Sequence, residues 1–266
     1  MAEARESIFI TGAASGMGRE TALLFAKKGW FVGAFDVNQR GLDSLQSEIG
    51  AEKGQFALLD VADADAFGVA MARFGEATGG TLDLMFNNAG VGSGGLLDEQ
   101  PWDEIKRIID INLLGVIIGA RAAIPLLRAT PGSLLLNMSS SSAIFGTAGI
   151  SIYSATKHAV RGLTEALSIE LKRYGIRAAD MLPGLIDTPL LSDPVRAMAP
   201  PDGMWRLIPP SMVAEKVWQA YGSDKLHWYI PEELRDFHVQ VVREPEVVRE
   251  ERTELLAAML GQAPTP

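Results

Sequence analysis

A tyrosine and a lysine stand four residues apart at Tyr153 and Lys157. In a helix, side chains at that spacing share a face. A phenol titrates near 10 and is a poor base at neutral pH. A neighbouring ammonium favours the phenolate and lowers that value. Such a pair can exchange a proton with a hydroxyl or a carbonyl. The same spacing recurs at Tyr221 and Lys225, but the spacer there is Gly-Ser-Asp. Glycine ends a helix, so Lys225 should open the next strand, and that pair need not share a face. Upstream of Tyr153 lie four consecutive serines, Ser139, Ser140, Ser141 and Ser142. A serine run is ordinarily a solvated loop. One hydroxyl beside the phenol would instead hold a substrate oxygen in line.

A second constellation could bind phosphate. Gly12, Gly16 and Gly18 punctuate the stretch TGAASGMGRE between a short apolar run and a helical pattern. Glycine allows a tight turn and close approach to a pyrophosphate, and the helix N-terminus offers free N–H groups. Asp36 closes the second apolar run. A carboxylate there can accept hydrogen bonds from an adenosine ribose and would repel a 2′-phosphate. Val37 and Asn38 are uncharged, Ser15 is not basic, and Arg40 is the nearest following cation. NAD is therefore favoured over NADP. Hydride would pass to or from its nicotinamide while Tyr153 moves the proton.

The elements that must position these groups alternate along the chain. Apolar runs at 7–11, 31–36, 55–61, 82–89, 133–139, 176–183 and 226–231 read as strands covered on both faces. Helix-period segments such as 18–29 separate them. The pattern predicts an α/β fold, a Rossmann-type doubly wound parallel sheet of seven strands, with residues 1–266 as one domain. Residues 188–210 carry six prolines and form an irregular substrate loop or lid. Residues 232–266 read as a helical tail broken at Pro245.

Composition removes other classes. The 266 residues are 47% hydrophobic, which suits a folded core. Cysteine is absent, so disulfides and thiolate chemistry are excluded. His158, His227 and His238 are widely separated, and no metal site is expected. A net charge of −9 argues against a nucleic-acid partner. The short polar start, Met1 to Glu6, is followed by no signal-peptide core. The apolar stretch 111–127 is interrupted by Arg121 and Pro125 and falls short of the roughly 20 residues of a membrane span. It reads as a buried or interface helix. A cytoplasmic protein with no membrane partner is the expectation.

Taken together, these motifs resemble the short-chain dehydrogenase/reductase family in its ordinary single-domain form. TGAASGMG resembles its TGxxxGxG, and NNAG (Asn87, Asn88, Ala89, Gly90) ends the fourth strand as in the family. LDV (Leu59, Asp60, Val61) follows the third, where the family places an aspartate beside the adenine. Ile111 and Asn112 lie in the next long helix. YSATK fits its YxxxK, and Pro183 and Gly184 precede IDTP (Ile186 to Pro189). The resemblance implies an alcohol dehydrogenase or ketone reductase with Ser140, Tyr153, Lys157 and Asn112 as catalytic residues. The family's serine precedes the tyrosine by about 13 residues and is second in an N-x-S-S pattern; both criteria select Ser140. By contrast, Ile208 occupies that place before Tyr221. Asn112 would hold a water in a relay to Lys157. The cofactor would lie against Gly12, Ser15, Gly16, Met17, Gly18, Asp36, Asp60, Val61, Asn88, Ala89, Gly90, Tyr153, Lys157, Pro183, Gly184, Ile186 and Thr188. The family's helices at 102–127 and 153–174 pair across a dimer, so a homodimer or homotetramer is expected.

Pocket walls are expected from 91–97, 141–150 and 183–210, with Leu96, Leu97, Ile144, Phe145, Leu190, Met198, Met204, Trp205 and Leu207. These favour a small-molecule substrate that is an apolar or aromatic secondary alcohol, or its ketone. Arg196 and Arg206 leave an acidic substrate open. A non-catalytic dinucleotide sensor, an epimerase, and an NADP-dependent carrier-protein ketoreductase are the alternatives. The acidic chain and Asp36 fit the last of these poorly, and a sensor has no need of all four catalytic groups.

Overall fold

Phe9 and its neighbours Ile8 and Ile10 show how the sheet is built. All three are fully buried, yet they belong to two different cores. Alternate residues of a strand point to opposite faces, so a strand apolar throughout must be covered on both sides. The structure, a computed structural model, describes residues 5–92 and 94–259.

The described chain runs β1 (Ser7–Thr11), α1 (Gly16–Lys27), β2 (Phe31–Asp36), α2 (Gln39–Ile49), β3 (Gly54–Leu58), α3 (Ala64–Ala77) and β4 (Leu84–Asn87). It continues through α4 (Trp102–Ile109), α5 (Gly115–Arg128), β5 (Leu134–Met138), α6 (Ser151–Glu170) and β6 (Arg177–Pro183). The last elements are α7 (Asp193–Met198), α8 (Pro210–Tyr221), β7 (His227–Ile230), α9 (Leu234–Arg243) and α10 (Pro245–Met259). The seven strands form one parallel sheet in the order β3-β2-β1-β4-β5-β6-β7. The order reverses between β1 and β4, and sheets of this kind bind ligands at the C-terminal ends of the strands flanking such a reversal.

On one face Phe25, Trp30 and Val217 join Ile8 and Ile10; on the other Phe67, Phe74 and Leu127 join Phe9 and Phe35. A satellite cluster of Ile144, Leu182, Tyr229, Leu234, Phe237 and Val248 sits under the C-terminal helices. Local signals set the helix starts. Asn38 caps α2 by accepting from the Gly41 amide, and Asp63 caps α3 through Ala66. Pro210 opens α8 and Pro245 opens α10, where the lost N–H has no helical partner to miss.

Several boundaries differ from the sequence expectation. β3 ends at Leu58, so Leu59, Asp60 and Val61 belong to the following turn. α1 begins two residues earlier than expected, at Gly16. Between α4 and α5 the helix widens into one π turn, Asp110–Leu114. The whole segment from Trp102 to Arg128 is long and apolar enough to cross a membrane. Its Ile105, Ile108, Asn112, Gly119, Ala123 and Leu127 are nonetheless buried in the protein. The expected irregular lid contains the short helix α7, and its base is closed by parallel pairing of Ile186 with Ile208.

Candidate active site

The glycine loop is held open by backbone geometry. Gly16 has φ +53°, and a Cβ there would meet Thr188 at 3.0 Å. At Gly18 a Cβ would strike the Gly12 carbonyl and the Asn88 amide, so no side chain fits. Ser15 stands at the N-cap of α1 without capping it through its side chain, and the first turn carries no acidic residue. The first amides of the helix thus keep their capacity for an anion. Asp36 accepts from the Ala14 amide with one oxygen and from the Asn38 amide with the other, both at 2.9 Å. Each carboxylate oxygen retains a further lone pair for a ribose hydroxyl. The cradle fits a dinucleotide.

The other residues expected around the cofactor divide between the candidate site and its supports. Asn88 donates through Nδ2 to the carbonyls of Thr11 and Gly12, at 2.9 and 3.1 Å. Thr11 Oγ1 accepts from the Asn88 and Ala89 amides. These bonds stitch the ends of β1 and β4 together. Thr11 opens the TGxxxGxG motif but is not among the expected site residues, because the motif does not say what its hydroxyl binds. Asp60 accepts from the Ala62 amide, and Val61 packs against Gly115. Pro183 ends β6, Gly184 donates to the Ile230 carbonyl at 2.7 Å, and Ile186 is buried in the core. A Cβ on Gly90 would lie 3.3 Å from Asn112 Oδ1 and 3.5 Å from Lys157 Nζ, which puts those two side chains at one spot. Met17 packs against the core.

Helix α6 carries Tyr153 and Lys157 on one face, with Lys157 Nζ 5.5 Å from the phenol ring centroid. Lys157 is buried and donates to the Met138 carbonyl at 2.9 Å. Burial lowers its pKa to about 8. Burial raises the Tyr153 pKa, and a hydrogen bond with Ser140 opposes that rise. The sequence reading expected the lysine to lower it. Here the ammonium is turned to the Met138 carbonyl, so desolvation of the phenolate dominates.

The four serines separate cleanly. β5 stops at Met138, and Ser139 donates back to the Lys157 carbonyl at 2.9 Å. Ser140 caps a single 3-10 turn, Ser141–Ala143, by accepting from the Ser142 amide at 3.1 Å, and it is the serine that meets Tyr153. Asn137 links the strand to the helix, accepting from Asn87 and donating to Thr164, each at 2.9 Å. Asn112 lies in the π turn, a feature frequent at functional sites. Its side chain accepts from the Val91 amide at 2.8 Å and donates to the Val91 carbonyl at 2.9 Å. A water relay would therefore have to use its main chain.

The lid corrects several expectations. Arg196 reaches Asp187 and Asp193 at 2.9 Å and the Thr188 carbonyl at 3.0 Å. Arg206 binds the Gly203 carbonyl and Glu233. Both guanidiniums, about one third exposed, are paired within and beside the lid. Ile144 is buried in the satellite cluster, and Phe145, Met204 and Trp205 pack against it. Leu190 abuts Gly92, while Leu97 and Met198 are exposed. Ser93, within the expected 91–97 wall, and the tail beyond 259 lie outside the described residues. Among the described residues, no group of three or more His, Cys, Asp or Glu is placed to hold a metal ion.

Comparison with known proteins agrees with this geometry. A family model for the short chain dehydrogenases matches residues 6–198. The cyclohexanol dehydrogenase of Acinetobacter sp. (strain SE19) is 37% identical over 69% of this chain and 74% of that protein. The trans-4-hydroxycyclohexanecarboxylate dehydrogenase of Sinomonas cyclohexanicum is 35% identical over 70% of this chain and 74% of its own. The crystal structure of a 3-ketoacyl-(acyl-carrier-protein) reductase from Brucella melitensis complexed with NADH superposes with a TM-score of 0.77. It is 29% identical, with 85% of this chain and 96% of that chain covered.

Proposed function

The chain belongs to the short-chain dehydrogenase family of oxidoreductases, and from that premise we propose that it interconverts a cyclic secondary alcohol and its ketone with NAD. The observation that carries this reading is the meeting of the Ser140 hydroxyl with the Tyr153 phenol on the helix that also bears Lys157. Bound NAD supplies the hydride acceptor at its nicotinamide. Asp36 would hold the adenosine ribose, the amides of α1 the pyrophosphate, and Thr188 the nicotinamide side of the cleft. Ser140 donates to the substrate oxygen and sets it against Tyr153. Tyr153 would take the hydroxyl proton in oxidation and return it to the carbonyl oxygen in reduction, the cofactor accepting or returning the hydride at carbon; a cationic nicotinamide beside the phenol would favour its phenolate against the effect of burial.

Three curated relatives are named for cyclohexane- or cyclohexadiene-ring alcohols, which supports a ring substrate. The commitment of Arg196 and Arg206 to the lid favours a neutral ring over a carboxylate. A carrier-protein ketoreductase is the second reading, supported by the Brucella likeness. Apolar Ile109, Leu114 and Ile117 stay exposed on the α4–α5 face, as does Ile169 on α6, which supports pairing with a second copy.

The test is a screen of cyclohexanol, 1-phenylethanol, a hydroxysteroid and an acetoacetyl thioester with NAD(H), followed by cofactor absorbance. Cyclohexanol or a substituted relative should be turned over fastest. Turnover of the thioester alone would replace this reading with the second. Tyr153→Phe should abolish turnover while NAD binding, read by titration calorimetry, survives; retained turnover would remove Tyr153 from the chemistry.

A further inference from the structure

Arg161 lies on α6 eight residues after Tyr153, outside every motif that marks the site. Positions 153, 157 and 161 follow one another at four-residue spacing, so all three share a helix face. The Arg161 side chain is only 16% exposed. Its Nη1 donates to the Ala143 carbonyl at 3.3 Å, its Nε to Glu165 at 3.1 Å, and its Nη2 to His238 Nε2 at 3.3 Å. A guanidinium has no acceptor, so Nε2 must accept and the proton of neutral His238 sits on Nδ1. That nitrogen meets the Tyr229 hydroxyl at 2.7 Å. Glu165 also faces His227, which in turn pairs with buried Asp180.

The contact with Ala143 reaches the site. Ala143 is the last residue of the 3-10 turn that Ser140 caps, and its amide donates to the Ser140 carbonyl at 2.9 Å. A short turn leaves its final carbonyls without helical partners. A cation at that end satisfies one of them and matches the turn's dipole. The turn is therefore held at its first end by Ser140 and at its last by Arg161. Because Arg161 and Tyr153 grow from one helix, the guanidinium ties the serine turn to the tyrosine's own element.

We propose that Arg161 is a positioning residue: it clamps the Ser140 turn to α6 so that the serine hydroxyl and the Tyr153 phenol stay in register. The inference rests on the reading of Ser140 as donor to the substrate oxygen. Displacement of a reacting group by about 1 Å costs on the order of a hundredfold in rate.

The test is steady-state oxidation of cyclohexanol by NAD, or of whichever alcohol in the screen is fastest, in Arg161→Met, Arg161→Lys, His238→Ala, Ser140→Ala and the Arg161→Met/Ser140→Ala double variant. Arg161→Met should lower kcat by about tenfold or more with the KM for NAD unchanged, as expected for lost orientation. Arg161→Lys, which keeps a donor for Ala143, should recover much of the loss. His238→Ala breaks the link to α9 alone and should lower Tm while leaving kcat near wild type. In the Ser140→Ala background the arginine change should cost little more, because coupled residues are non-additive. Equal losses with and without Ser140, or an unchanged kcat in Arg161→Met, overturn the proposal. If Arg161→Met does not fold, an additive loss in Arg161→Lys/Ser140→Ala overturns it equally. Should Ser140→Ala alone be harmless, or no alcohol turn over, the reading of the site fails and this inference with it.

Discussion

Ser139→Ala and Ser140→Ala delete the same hydroxyl from adjacent residues, yet the structure assigns the two changes to different observables. The Ser139 hydroxyl is buried and spent on the Lys157 carbonyl at 2.9 Å. Its removal costs one intramolecular hydrogen bond, about 0.5–1.5 kcal/mol of stability. In a chain of this size that lowers Tm by a few degrees, at roughly 2–4 °C per kcal/mol. The Ser140 hydroxyl caps a turn through the Ser142 amide, and losing a cap costs about 1 kcal/mol. The two variants should therefore melt within a few degrees of one another. Their rates should diverge. A donor aimed at the reacting oxygen is worth about 10²–10³ in kcat, whereas Ser139 points to the back of α6. The measurements are a thermal melt and kcat for cyclohexanol oxidation, with NAD affinity as a control for intact folding. Equal kcat losses in the two variants, or a larger loss in Ser139→Ala, would refute the assignment.

Two further outcomes follow from the same geometry. Asp36→Ala should shift the ratio of NAD to NADP affinity by at least about tenfold, some 1.4 kcal/mol, read as dissociation constants by tryptophan fluorescence; an unchanged preference removes the ribose assignment. Lys157 titrates at about 8 when folded against 10.5 in the open chain, so the unfolded state holds the extra proton between those values. Stability then rises with pH across that window, by up to about 3 kcal/mol from this one group. In Lys157→Met that rise should vanish, and melts at pH 7 and pH 10 compare the two proteins directly.

The main features of the fold were legible because they depend on local chemistry. β1 and β2 occupy their expected residues: β1 lies between Glu6 and Gly12, and β2 begins just after Gly29-Trp30 and ends on Asp36. The shared face of Tyr153 and Lys157 needs nothing beyond helix geometry. Pro245 divides the tail for the same kind of reason: its ring forbids continuation of the helix before it. The π turn at Asn112 was not legible, because the five residues of that turn carry no distinguishing pattern.

The partners of long charged side chains and the packing beside the lid were not legible, for a common physical reason. Arg206 meets Glu233 and Arg161 meets His238, 77 positions away, and no local pattern announces such partners. Ile144 follows the serine run and looked like a pocket wall, but tertiary packing buries it beneath Phe237 and Val248. Residue types and spacing determined that the protein carries a dinucleotide cradle and a tyrosine–lysine pair on one helix. The family resemblance already selected Ser140; only the tertiary structure decided what Ser139 binds, how Arg161, Arg196 and Arg206 are paired, and that burial raises the phenol's proton affinity. Those outcomes depend on desolvation and on contacts between distant segments, and neither exists until the chain has folded.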